Sequence, residues 1–213
     1  MSDSRDIILA NVRGALGRAP GAPISTRPPV PAPRSAGSAD VEIDRLLSEV
    51  SALTGVARRV SGREIDTALR ELVESQLVRK ATLWSTFQLE QLGVADRLTA
   101  LGVELVPPDA GAASLADVDL GVTEADFALP ETGTLGLFSS PSQPRQVSLV
   151  PRIHLAIVPP RALRADLHEV FAEAKQCHYM VFVTGPSRTA DIELTVTIGV
   201  HGPKVLHVWV VDY

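Results

Sequence analysis

Four consecutive residues, Glu131-Thr132-Gly133-Thr134, place one carboxylate, two hydroxyls and a glycine directly before an apolar run. Glycine lets the backbone turn tightly or approach a ligand closely. The hydroxyls and exposed amides suit an oxyanion or a phosphate. The same residues also suit a plain turn into a strand with Glu131 in solvent. A second group is Gly185-Pro186-Ser187-Arg188-Thr189-Ala190-Asp191-Ile192-Glu193, which follows the apolar run Tyr179 to Val183. A glycine-containing loop after a strand and before a helix start cradles anions. Ser187 can donate, and Arg188 can hold a carboxylate or phosphate with two parallel hydrogen bonds. Asp191 and Glu193 are candidates for acid or base, or for locking Arg188 in place. A surface loop with an ordinary helix cap is the plainer reading. A third group, Gly199-Val200-His201-Gly202-Pro203, marks a tight turn in which His201 is a candidate ligand contact or a turn residue.

The remaining histidines, at 154, 168, 178 and 207, lack metal-ligand spacing, so no metal site is expected. The chain has no G-x-G-x-x-G fingerprint, no Walker A loop and no G-x-S-x-G elbow. Nothing in it points to a stand-alone dehydrogenase or NTPase.

These groups need a scaffold. The first, residues 1–18, reads as a helical arm: Asp3 or Ser4 caps an amphipathic helix over residues 3–17, with Ile7, Ile8, Val12 and Leu16 on one side. Residues 19–39 form a linker, with prolines at 20, 23, 28, 29, 31 and 33. Such a composition buries too little apolar surface to offset its ordering entropy. Residues 1–38 are therefore expected to be dispensable for folding. The body, residues 40–213, opens with a helix from Asp40 to Leu53, a strand from Val56 to Val60 and a helix from Gly62 to Leu77. A strand from Lys80 to Ser85, a helix from Leu89 to Leu101 stopped by Gly102, and a strand from Val103 to Val106 follow. Val118 to Leu129 mixes short apolar pieces with acidic turns. Strands at Thr134 to Phe138 and Ile153 to Val158, a helix from Pro160 to Lys175, and strands at Tyr179 to Val183 and Val205 to Val211 complete the pattern. In the predicted helix, Leu163, Leu167, Val170, Phe171 and Ala174 face inward. Residues 191–198 alternate like a strand, but a short helix from Thr189 to Gly199 would supply a crossover, and that is the expectation.

Alternating strands and helices predict an α/β fold with a mainly parallel sheet covered on both faces. Such sheets bind ligands beyond the carboxyl ends of their strands. Glu131, Thr132, Thr134, Ser187, Arg188, Asp191 and Glu193 are therefore expected in one cleft. There Arg188 should pair with Glu131, Asp191 or Glu193 when no ligand is bound.

The 213 residues carry a net charge of −5, so a polyanionic partner such as nucleic acid is not expected. The longest apolar runs are strand-sized, well short of the roughly 20 residues that cross a bilayer. The first residues lack the basic and apolar regions of a secretory signal. Cytoplasm is the expected location. The only cysteine, Cys177, reads as a small residue at a helix end. Iron–sulfur clusters take about four cysteine ligands, so this chain alone cannot hold one in the usual way.

The run Ala125 to Thr134 with Ser139-Ser140-Pro141, and the block Thr184 to Glu193 with Gly199 to Pro203, resemble the two signatures of the LUD-domain family. That family is lactate utilization protein C, also called LutC or YkgG, and the resemblance covers about residues 40–213. It implies a fold similar to the ribose-phosphate isomerase, glucosamine-phosphate deaminase and CoA-transferase group. It implies a role in converting L-lactate to pyruvate beside partner proteins that carry iron–sulfur clusters, with this chain as the cluster-free accessory or substrate-side subunit. Read from the residues themselves, Thr132, Gly133, Thr134, Gly185, Ser187, Arg188, Thr189, Glu193 and His201 are the expected anion-binding set, and Glu131 and Asp191 the expected catalytic carboxylates. The alternative is a stand-alone isomerase- or CoA-transferase-like enzyme in which the Glu131 carboxylate does the chemistry on a small anionic substrate.

Overall fold

Arg58 and Arg59 are neighbours in the first strand, β1 (Val56–Ser61), so they point to opposite faces of the sheet. Arg58 reaches Glu71 at 2.8 Å and the Ala68 carbonyl at 3.1 Å. Arg59 reaches Asp40 at 2.7 Å. Glu71 and Ala68 belong to α3 (Ile65–Gln76) and Asp40 to α2 (Ala39–Ala52). These two helices therefore cover opposite faces. The computed structural model that shows this describes residues 3–19, 21–22, 29, 32–189, 197–199 and 201–212.

The chain divides into two units, residues 1–32 and 33–213. In the first, α1 (Ser4–Ala15) is capped by the Asp3 side chain, which accepts the Arg5 N–H. Its apolar side chains Ile7, Ile8 and Val12 are exposed.

The second unit is built on a six-stranded sheet. Its other strands are β2 (Lys80–Leu83), β3 (Glu104–Leu105), β4 (Leu120–Glu124), β7 (Ile153–Val158) and β11 (Val205–Asp212). Their order is β1-β11-β7-β4-β2-β3, and every neighbouring pair is parallel. All of β7 and residues Leu206 to Val211 of β11 are buried, as continuous apolar strands covered on both faces should be. A second, antiparallel sheet joins β5 (Phe127–Leu129), β6 (Thr134–Phe138) and β8 (Met180–Thr184) in that order. A two-residue ribbon pairs β9 (Arg188–Thr189) with β10 (Thr197–Ile198). The remaining helices are α4 (Phe87–Gln91), α5 (Val94–Ala100), α6 (Ala112–Leu115), α7 (Gln146–Leu149) and α8 (Leu167–Glu173).

Several elements differ from expectation. The stretch 118–129 contains a central strand, β4, because it is buried between β7 and β2. The helix expected over 89–101 is split at Gly93, whose φ of 57° breaks the helical path between α4 and α5. The helix expected over 160–175 is a 3-10 turn (Pro160–Ala162), an extended piece and then α8. The Arg164 N–H goes to the Ala128 carbonyl at 2.9 Å, and the Asp166 side chain starts the helix anew by accepting the His168 N–H. Val170 is buried, but Leu167 and Phe171 are exposed. The apolar run Tyr179 to Val183 is not a strand of the parallel sheet: it forms β8, paired with β6 alone, and Phe182 is exposed. Of the crossover helix expected from Thr189, the described residues Thr189, Thr197 and Ile198 are extended. Its middle, with Asp191 and Glu193, lies outside the described residues. Cys177 follows a 3-10 turn (Ala174–Gln176), and its thiol donates to the Tyr179 carbonyl.

Residues 33–38, assigned to the linker by composition, are tied to the body. The Arg34 N–H donates to Asp166 at 2.8 Å, its Nε to the Ala165 carbonyl, and its two terminal nitrogens to Glu42 at 2.8 and 2.6 Å. The Gly37 N–H adds a third donor to Glu42 at 2.7 Å. These contacts hold the buried Glu42 carboxyl down at about 2.

Candidate functional site

The antiparallel register of β6 and β8 sets Thr134 opposite Thr184. The Thr132 hydroxyl donates to the Thr134 hydroxyl at 2.8 Å, and Thr134 and Thr184 share a hydrogen bond of 2.9 Å. Three hydroxyls thus link the first motif to the residue before Gly185. Both motif glycines lean on the last turns of α2. Gly133 has φ +61°, and a side-chain carbon on it would sit 2.9 Å from the Val50 nitrogen. Gly185 has φ +80°, with the same position 3.1 Å from Leu53 Cβ. Any larger residue would push these turns off the helix.

Arg188 does not meet Glu131. Its guanidinium donates to the Leu53 carbonyl at the end of α2 and, at 3.2 Å, to the Thr54 hydroxyl. A cation there satisfies a terminal carbonyl and complements the helix dipole. Glu131 is half exposed and lies 3.9 Å from Arg34 and 3.8 Å from Arg45. The pairing with Glu131 is not formed because the end of α2 offers Arg188 a closer acceptor, while Glu131 has two other arginines; the alternatives Asp191 and Glu193 lie outside the described residues. Ser187 ties two loops together: its N–H donates to the Pro203 carbonyl and its carbonyl accepts the Gly199 N–H, both at 2.9 Å. This brings exposed His201 beside the second motif.

A cavity of about 410 Å³ lies beneath these loops. Its walls are Val181 to Arg188 on one side and His201 to Pro203 on the other, closed by Ser148 and Leu149, with His154 and Leu206 below. His154 and Leu206 are each the second residue of a central strand. The cavity is therefore at the amino ends of β7 and β11, not at the carboxyl ends where the topology rule points. The reason is β8: as a strand of the antiparallel sheet, it ends near the last turns of α2. His154 is fully buried, which pushes its imidazole down to about 4 and leaves it uncharged at neutral pH. Its Nε2 lies 2.8 Å from the Thr123 hydroxyl. The site combines a mouth bearing Arg188, Ser187 and His201 with an apolar interior and a neutral imidazole, an arrangement that suits a small anion. Among the described residues, no group of three His, Cys, Asp or Glu is arranged to hold a metal ion.

A family model described as LUD domain matches residues 50–211. The chain belongs to the LUD-domain family. Lactate utilization protein C of Shouchella clausii is 32% identical over 165 residues, covering 73% of this chain and 72% of that protein. Lactate utilization protein C of Halalkalibacterium halodurans is 28% identical over 177 residues, covering 78% and 77%. The crystal structure of a DUF162 family protein from Deinococcus radiodurans shares the fold, with a TM-score of 0.63 and 20% identity over 83% of this chain and all of that one. No helix among the described residues is long and apolar enough to cross a membrane.

In this LUD domain, reading the sequence for chemistry passed over His154, Thr123 and Thr184. A signal existed for His154: it is the one polar residue in the run Ile153 to Val158. Arg34 and Arg45, which face Glu131, carried no motif. The carboxyl edge of the sheet holds a separate polar group. There Arg161 donates to Gln88 at 2.6 Å and to Glu124 at 3.0 Å. Asp126, two residues past Glu124 in the chain, accepts the Phe138 N–H at 2.7 Å.

Proposed function

We propose that this LUD-domain chain takes part in the oxidation of L-lactate to pyruvate as the subunit without iron–sulfur clusters. Partner proteins would carry the clusters, and the cavity beneath residues 184–188 would hold a small carboxylate. The observation that carries the reading is the relative named lactate utilization protein C, 32% identical over 73% of the chain. The lone Cys177 supports the division of labour, since a cluster takes about four thiolates. The cavity supports the ligand class: exposed Arg188 is among its lining residues, with hydroxyl and backbone groups of residues 184–187 and 201–203, while the first motif, Glu131 to Thr134, does not line it. Deleting the gene in an organism that carries it tests the role. Growth on L-lactate should fail, growth on pyruvate should persist, and the wild-type gene should restore the first. Undiminished growth on L-lactate would overturn the proposal.

A further inference from the structure

We propose that Thr54 is a positioning residue for the anion site: from a strained backbone position at the end of α2, its hydroxyl fixes the guanidinium of Arg188 in the wall of the cavity. The inference rests on the cavity being a carboxylate site, and adds a residue that lies outside both signature loops.

The helix α2 ends in a Schellman turn. The Thr54 N–H donates to the Ser51 carbonyl and the Gly55 N–H to the Val50 carbonyl, both at 2.9 Å. This turn puts Thr54 at φ 67°, in the left-handed position that glycine usually fills. The helix α5 ends in the same turn with glycine there, Gly102 at φ 81°. A β-branched residue is a poor choice for that position, because its Cβ crowds the backbone at positive φ. Thr54 is exposed, so burial of its side chain does not explain the choice. A hydrogen bond explains it: the Thr54 hydroxyl accepts from Arg188 Nη2 at 3.2 Å. Residues held in such conformations cluster at sites that use them.

The same Nη2 donates to the Leu53 carbonyl. A single acceptor would let the guanidinium swing about one bond. Two acceptors on adjacent residues fix its plane. Neither of them carries a charge, so these bonds leave the charge of Arg188 uncancelled, and Nη1 and Nε take no part in them. Gly185 holds the start of the same loop on the same turn, since a side-chain carbon on it would lie 3.1 Å from Leu53 Cβ. Arg188 thus lines the cavity as a fixed cation, and a ligand does not have to order it. Ordering one long side chain on binding weakens affinity by up to about tenfold.

The test uses the full chain with L-lactate as the probe. Thr54→Gly relieves the backbone and removes the hydroxyl, and Thr54→Ser keeps the hydroxyl. Leu77→Gly is the control, because exposed Leu77 holds the same position after α3, at φ 53°. Both glycine variants should melt at or above the wild-type temperature, by up to about 4 °C. In calorimetry Thr54→Gly should bind L-lactate about fivefold more weakly, while Thr54→Ser and Leu77→Gly match wild type. A merely structural Thr54 would move the melt and leave the affinity alone. In the ligand-free proteins, ¹⁵N relaxation should show the Arg188 Nε–H ordered in wild type and Thr54→Ser and mobile in Thr54→Gly. Wild-type affinity in Thr54→Gly, a loss that Thr54→Ser does not restore, a lower melting temperature in Thr54→Gly, or an Arg188 equally mobile in both proteins would overturn the inference and leave the carboxylate site standing. Failure of wild type to bind L-lactate would overturn the carboxylate site, and the relaxation measurement would then decide the inference by itself.

Discussion

Asp126 offers a stability test with a pH signature. It lies between β4 and β5, and its carboxyl is pushed from 3.8 up to about 6. Burial is the largest cause, the Phe138 N–H opposes it, and the charge of Glu124 adds to it. A carboxyl whose pKa is raised on folding favours the folded state most when protonated. That contribution is complete below 3.8 and is lost as pH rises through 6. Above that window the ionised carboxylate costs the fold up to about 3 kcal/mol, at about 1.4 kcal/mol per pKa unit. Water reaching the half-buried group lowers the figure to about 1–2 kcal/mol. Asp126→Asn keeps an oxygen to accept the Phe138 N–H and removes the charge. In urea unfolding, the variant should exceed wild type by about 1–2 kcal/mol at pH 8, with most of the gap closing by pH 4. Equal stability at pH 8, or a gap that persists unchanged at pH 4, would refute the reasoning.

Deleting residues 1–32 should leave the unfolding midpoint of the remaining chain unchanged in urea, since residues 33–213 form a compact unit of their own. Glu42→Gln should lower stability by about 2 kcal/mol at pH 7, after discounting for the partly exposed Arg34. Because the Glu42 carboxyl is depressed from 4.5 to about 2, that difference should vanish as pH falls through this range, seen in acid unfolding of both proteins. Gly136→Ala would drive a methyl into the Phe127 ring and should cost about 1–3 kcal/mol in thermal or urea melts. Purified protein should contain no stoichiometric iron or sulfide by elemental analysis, given a single cysteine.

The parallel sheet was legible because its signals are local. The strands expected at 56–60, 80–85, 153–158 and 205–211 end where β1, β2, β7 and β11 end, within a few residues. Ser38 and Asp3 cap helices through their own side chains, as such residues do in any context. The strand β4 was harder, because Gly121 and Thr123 interrupt its apolar pattern, and only burial on both sides makes it a strand. Residues 160–175 misled for the opposite reason. Their apolar spacing is helical throughout, yet Arg164 takes a hydrogen bond to Ala128 that no local pattern announces. The two motifs were found from residue types, but their partners were not.

The sequence by itself determined the class of fold, the family, the two signature loops and the shortage of cysteine. Each depends on residue type, spacing or count along the chain. Only the tertiary structure decided that Tyr179 to Val183 pairs with β6 rather than with the parallel sheet, since an apolar run reads alike in either place. From that pairing follow the Thr132–Thr134–Thr184 hydroxyl chain, the meeting of Arg188 with the end of α2, and a cavity at the amino ends of β7 and β11. Hydrogen bonds between residues 50 to 135 positions apart depend on which strands become neighbours, and a strand's own side chains do not specify its neighbour.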